Sequence, residues 1–192
     1  MVLINKNDRI FVAGHNGMVG SSILRELKKN NYTNVLTPSK KDLDLLSSQE
    51  VENWFKKNKP NVVILAAAKV GGIEANSKFP GDFILENLKI QTNVIENSFK
   101  NDVKRFLFLG SSCIYPKLCT QPINEEYLLT GALESTNEPY AIAKIAGIKM
   151  CESYWREYGN NFISLMPTNL YGPNDNFNLE TSHVLPALMR KF

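Results

Sequence analysis

The chain alternates between continuous apolar runs and stretches whose apolar residues recur every three or four positions. The first run, "RIFVAG" (9–14), is short and apolar almost throughout, the pattern of a strand buried on both faces. "MVGSSILRELKKN" (18–30) follows with helical spacing. "NVLTPS" (34–39) predicts a short second strand, "SQEVENWFKKN" (48–58) a second helix, and "NVVILAAA" (61–68) a third strand. Segment 82–101 reads as helix and "KRFLFLGSS" (104–112) as a fourth strand. "PYAIAKIAGIKMCESYWREYG" (139–159) is a long helix, with Pro139 in its first turn and Gly159 at its stop. "NFISLMPTNLYGP" (161–173) supplies a fifth strand and its exit, and a last helical pattern starts after Ser182. This alternation predicts an α/β fold, a doubly wound parallel sheet of Rossmann type.

In such a sheet, ligands bind beyond the carboxyl ends of the strands. The unusual residues gather there, at 14–20, 66–72, 110–115 and 167–173. In "AGHNGMVG", Gly14, Gly17 and Gly20 lie three apart between a strand and a helix. Glycines there permit a tight turn and let backbone approach a pyrophosphate, while the N–H groups at the helix start (Asn16 to Met18 and Val19) face its charge. The spacing departs from the usual GxGxxG fingerprint, so its weight comes from its place in the first strand–turn–helix. After the second strand, Ser39, Lys40 and Lys41 precede Asp42 and Asp44. The basic pair favours a 2′-phosphate, hence NADP over NAD.

On the long helix, Tyr140 and Lys144 are four apart and share a face. A phenol titrates near ~10, and a neighbouring ammonium lowers that value. The pair can pass a proton to a carbonyl oxygen, with Ser111 or Ser112 at the neighbouring strand exit hydrogen-bonding the same oxygen. That exit, "LGSSCIYP", also carries Cys113, a residue type poorly suited to a plain turn and well suited to proton removal. Cys119 and Cys151 read as packing residues, and His15 as support for the glycine turn.

Composition narrows the picture further. The 192 residues suffice for one domain with a core, and a formal charge of +3 gives no argument for nucleic acid or a membrane surface. No apolar run reaches the roughly 20 residues of a membrane span. Three cysteines without paired spacing argue against a disulfide framework or zinc site and suggest a reducing cytoplasm. No metal is expected. The helical pattern is still running at Phe192 without a stop signal, so the chain is expected to be the front part of a longer protein. Residues 1–175 are assigned to the dinucleotide-binding domain and 176–192 to the start of a substrate-binding region. The helix at 139–158 is apolar nearly all round (Ala141, Ile142, Ile145, Ala146, Ile148, Met150). It needs cover on two sides, which predicts a homodimer through helices 82–101 and 139–158.

The motifs "AGHNGMVGS", "LAAAKVGGIEAN", "LGSSCIYPK", "ESTNEPYAIAKIAGIK", "MPTNLYGPNDNF" and "SHVLPAL" span nearly the whole chain. On them the sequence resembles the GDP-L-fucose synthase family of 3,5-epimerase-4-reductases, among the extended short-chain dehydrogenase/reductases. The resemblance implies a GDP-sugar whose C4 ketone acidifies the hydrogens on C3 and C5. It implies Cys113 as the base and His183 as the acid of epimerisation, with Ser111, Tyr140 and Lys144 serving reduction of C4 by NADPH. It further implies Ala66, Ala67 and Ala68 beside the cofactor and Pro167, Asn169 and Leu170 around the nicotinamide. Lys69, Gly71, Gly72, Ser112, Asn169, Arg190 and Lys191 would face the sugar nucleotide. A plain helix-start role is the other reading of His183.

The sequence departs from that family at Asn16, where an arginine is common, near Lys40, and at Lys191, the second of an arginine pair. The family's enzymes also extend well past residue 192. Two further readings stay open: an NAD-dependent nucleotide-sugar 4-epimerase or dehydratase, and a dinucleotide-binding fragment without turnover. Cys113, with no Asp-Glu beside it, argues against a dehydratase.

Overall fold

A computed structural model describes residues 4–178 and 181–192. The elements run β1 (Ile10–Ala13), α1 (Met18–Lys29), β2 (Val35–Leu36), α2 (Ser48–Asn58), β3 (Val62–Leu65), α3 (Ile73–Lys78), α4 (Pro80–Lys100), β4 (Arg105–Leu109), α5 (Glu138–Tyr158), β5 (Phe162–Leu165) and α6 (Val184–Lys191). Short 3-10 turns cover Ser112–Ile114 and Glu125–Tyr127. All five strands are parallel, in the order β2-β1-β3-β4-β5. The chain steps outward from β1 to β2 and returns to β3 on the other side of β1. That reversal leaves a crevice at the carboxyl ends of β1 and β3, where doubly wound sheets bind ligands.

The predicted strands are present but shorter. β2 stops before Pro38, whose missing N–H cannot serve a ladder. The helix expected from 82 begins two residues earlier with Pro80 in its first turn, and α3, which was not expected, fills the gap before it. Pro80 separates the two helices because it brings no N–H to continue the first. Gly159 caps α5 with φ +72°, as its position predicted.

Each buried strand presents alternate residues to two layers. Phe11, Ala13, Val63, Leu65, Phe106 and Phe108 pack on one face with Val51 and Phe55 of α2, Val94 and Ile95 of α4, and Ile145, Ile148 and Cys151 of α5. Ile10, Val12, Val62 and Ile64 pack on the other with Ile23 and Leu27 of α1. α5 lies against the sheet and against α4, and Gln91 of α4 donates to the Ala143 carbonyl of α5 at 2.6 Å. The second covering that the apolar surface of α5 called for is therefore largely α4 of the same chain.

Candidate active site

The register brings the strand ends level: Ala13 pairs with Leu65, Leu65 with Phe108, and Leu109 with Leu165. The four strand-exit motifs, at 14–20, 66–72, 110–115 and 167–173, leave the sheet along this one rim.

At the β1 exit, Gly14 has φ +86°, and a Cβ there would stand 2.6 Å from the Ala67 nitrogen. Only glycine allows the β1 and β3 exits to approach so closely. A Cβ on Gly20 would meet the Gly14 carbonyl oxygen at 2.1 Å, so the start of α1 is pressed onto the turn. Gly17 differs: a Cβ there would meet only the Gly14 oxygen, at 3.5 Å. Gly17 is exposed, and α1 begins at it with no side-chain cap. The first N–H groups of α1 thus point into an open glycine cradle, an arrangement that fits the pyrophosphate of a dinucleotide. Ala66, Ala67 and Ala68 are half-buried beside it.

Beyond β2, the two carboxylates are already engaged. Asp42 accepts from the Ser39 amide at 3.1 Å and the Ser39 hydroxyl at 2.6 Å, which hold its carboxyl below the usual range. Asp44 accepts from the Leu46 amide at 3.0 Å. Lys40 and Lys41 are exposed and make no ion pair among the described residues. The free charge at this corner is positive.

At the β4 exit, Ser111 caps the 3-10 turn, its Oγ accepting from the Cys113 amide at 3.3 Å. The same hydroxyl hydrogen-bonds Tyr140 and favours its ionisation, but burial outweighs this and a neighbouring Cys113 charge adds to it. The phenol is pushed up to about 12. Phe83 of α4 stands edge-on to the Tyr140 ring, with centroids 6.5 Å apart. Lys144 is buried, donates to the Leu109 carbonyl at 2.8 Å, and lies 5.8 Å from the Tyr140 ring centre. Burial lowers it to about 8. The expectation that Lys144 depresses the tyrosine is therefore not met in this arrangement. At neutral pH Tyr140 is a protonated phenol, the form that donates a proton to a carbonyl oxygen.

Asn137, at the N-cap of α5, gives its side chain to none of the helix amides. Its Nδ2 donates to the Cys113 sulfur at 3.2 Å, while its Oδ1 is buried without a partner among the described residues. The sulfur acts as acceptor in this contact. A cleft of about 300 Å³, lined by Asn76, Ser77, Pro80, Ser135, Thr136 and Pro139, lies between the α3–α4 junction and the start of α5. Cys151, in contrast, is buried, hydrogen-bonded to Ser164 and pushed up to about 12 by burial, as befits a packing residue.

The sequence matches the NAD dependent epimerase/dehydratase family over residues 10–192. The chain belongs to that family. Among curated relatives, it is 60% identical to GDP-L-fucose synthase 1 of Arabidopsis thaliana over 98% of this chain and 58% of the relative. It is 61% identical to GDP-L-fucose synthase of Sinorhizobium fredii over 95% of this chain and 58% of that one. Among solved structures, a GDP-D-glycero-L-gluco-heptose synthase of Campylobacter jejuni, determined in the presence of NADPH, superposes with a TM-score of 0.93 at 45% identity. That match covers 98% of this chain and 55% of the other. The chain thus spans somewhat more than half the length of these relatives.

Within this epimerase/dehydratase fold, the remaining motif residues divide by their contacts. Lys69 of β3's exit bonds Asp82 at 3.2 Å and Glu86 at 2.6 Å, and its backbone is bracketed by buried Asn87. Its ammonium is already paired with two carboxylates rather than free for a diphosphate. Ser112 donates its amide to the Pro167 carbonyl at 3.2 Å, which ties the β4 exit to the β5 exit. Asn169 and Leu170 are exposed beyond it. Arg190 of α6 donates to the Phe177 carbonyl at 2.8 Å, and Lys191 is exposed. His183 is exposed and occupies the N-cap position of α6, yet its side chain makes no capping bond. Helix initiation is not what the imidazole does. Asn137, Asn87, Asn76 and Phe83 border the site without having been singled out by the sequence; only the "NEPY" string, with a polar residue directly before a helix start, signalled the first.

Proposed function

We propose that the protein works as the epimerase-reductase of a GDP-linked 4-keto-6-deoxy-hexose, epimerising C3 and C5 and reducing C4 to yield GDP-L-fucose. The observation that carries this reading is the shared corner at the β4 exit: Cys113, Asn137, Ser111 and Tyr140 form one hydrogen-bonded cluster, so proton removal and carbonyl reduction use the same ketone. Cys113 removes the proton from C3, and in a second round from C5, while Ser111 and Tyr140 hold O4. His183 returns a proton on the opposite face. When bound, NADPH supplies the hydride that C4 receives. Tyr140, protonated at neutral pH, then gives its proton to O4. Lys40 and Lys41, free of ion pairs among the described residues while Asp42 and Asp44 are engaged, support NADPH over NADH. Gly14, Gly17 and Gly20 would hold the pyrophosphate. In this reading the protein acts as a homodimer through the outer faces of α4 and α5.

The test is incubation with GDP-4-keto-6-deoxy-mannose in heavy water, with and without NADPH, reading deuterium at C3 and C5 by mass spectrometry. Exchange without NADPH, and GDP-L-fucose once it is added, is the expected result. Cys113→Ser should lower exchange by about 10²- to 10⁴-fold, the usual worth of a general base. Turnover of a GDP-4-keto-heptose in preference to the hexose would overturn the substrate assignment. NADPH binding without either reaction would overturn the enzymatic one.

A further inference from the structure

The "KVGG" motif offers two glycines where a sugar-facing loop was expected. Their contacts lead elsewhere. The Gly72 amide donates to the Thr181 carbonyl at 3.0 Å, and a Cβ on Gly72 would lie 2.6 Å from the Ser182 carbonyl oxygen. The φ of Gly72 is −67°, open to any residue. Space alone, not conformation, demands glycine. What fills that space is the backbone of the two residues directly before His183. Backbone cannot swing aside as the end of a long side chain can, so a methyl at 72 must displace segment 181–182 or the loop itself.

The glycines are in turn fixed from behind. Asn76 of α3 is buried, and its Nδ2 donates to the Gly71 carbonyl at 2.8 Å and the Gly72 carbonyl at 3.0 Å. On Gly71 a Cβ would press on Ala75 Cβ at 3.0 Å and Phe83 Cζ at 3.1 Å. Phe83 is the ring that stands against Tyr140. The glycine pair therefore rests on the wall of the reductive site and supports the segment that ends in His183.

We propose that Gly72, clamped by Asn76, is a positioning residue that sets the place of His183 against the site, and does so by letting two backbones touch. The inference deepens the functional reading above and rests on it for the role of His183 as the proton-returning acid. A misplacement of about 1 Å in such a group can cost on the order of 10²-fold in rate.

Two measurements on Gly72→Ala test it, with Gly81→Ala as control, since a Cβ there meets nothing within 4 Å. The chain holds only two histidines, His15 and His183, so ¹⁵N-histidine labelling reads each imidazole directly, without turnover. The His183 resonance should move in Gly72→Ala while His15 stays. In heavy water without NADPH, Cys113 should still exchange the C3 and C5 hydrogens, but inversion should fall at least about tenfold relative to exchange. A general loss of folding would lower both together. If Gly72→Ala does not fold, Asn76→Ala replaces it and should shift both readouts in the same direction. An unmoved His183 resonance overturns the positioning role even if the enzyme is active. An absence of exchange in the unaltered protein overturns the functional reading, and the resonance still decides whether Gly72 places His183.

Discussion

Lys144 is held at about 8 instead of its ordinary 10.5 because it is buried under β4 with one carbonyl partner. Below pH 8 both the folded and the unfolded chain carry its proton, and the fold bears the full cost of a buried ammonium. Between pH 8 and 10.5 the unfolded chain keeps the proton that the folded one has shed, so rising pH favours folding. The difference corresponds to about 3 kcal/mol across that window. In Lys144→Met this contribution vanishes, while the orphaned Leu109 carbonyl adds an offset that does not vary with pH. Urea unfolding of both proteins should give stability curves that run parallel below pH 8 and converge or cross above it, the lysine protein gaining. Curves that stay parallel to pH 10 would show that the ammonium is solvated. The residues of this centre were legible because Tyr140 and Lys144 are related by helical spacing, and Ser111 and Cys113 by position at a strand end. Asn137 was not, because its partner sulfur is 24 residues away and the contact exists only once α5 docks beside the β4 exit. The pairing of Lys69 was hidden for the same reason: its carboxylate partners come from a helix 13 and 17 residues on.

At the scale of elements, the packing of α5 fixes the site, since Tyr140 and Lys144 are carried on its first two turns. At Gly147 it lies directly against the sheet. A Cβ there would lie 2.5 Å from Phe108 Cζ and 3.0 Å from Gln91 Cδ. Phe108 and Gln91 are both fully enclosed, so neither can yield without moving its backbone. Gly147→Ala should destabilise the fold by about 1–3 kcal/mol through overpacking, in spite of alanine's better helix propensity. A urea midpoint equal to or above that of the unaltered protein would mean that α5 can lift off β4 freely. The long elements were readable from periodicity, and Pro139 and Gly159 bounded α5 within a residue. What escaped was α3, six residues between a glycine pair and a proline, too short to show a period. The shortening of β2 at Pro38 follows from proline chemistry that the apolar pattern alone overrides.

Viewed whole, the molecule is unevenly covered. One face of the sheet lies under α2, α4 and α5; among the described residues the other has its buried cluster on β1 and β3 under α1, with Val35 and Leu107 at its margin. The register puts Ile163 opposite Leu107 and Leu165 opposite Leu109, on that second face. Ile163 and Leu165 are 54% and 52% exposed. They sit on β5, an edge strand in the described sheet, and an apolar edge is a surface on which chains associate without specificity. The helical layer also keeps apolar residues outward, Leu85 of α4 and Ile142, Trp155 and Tyr158 of α5. Two kinds of self-association are therefore separable. A closed dimer through α4 and α5 is isologous and stops at two copies, whereas non-specific contact through the exposed apolar residues of β5 has no symmetry that closes it. Light scattering of the unaltered protein should give twice the chain mass, and Ile142→Glu should halve it. Ile163→Thr with Leu165→Thr should leave the dimer intact and reduce growth to larger species on concentration. A monomer in the unaltered protein, or a dimer lost with the β5 substitutions and kept with Ile142→Glu, would move the partner surface from the helices to the uncovered sheet.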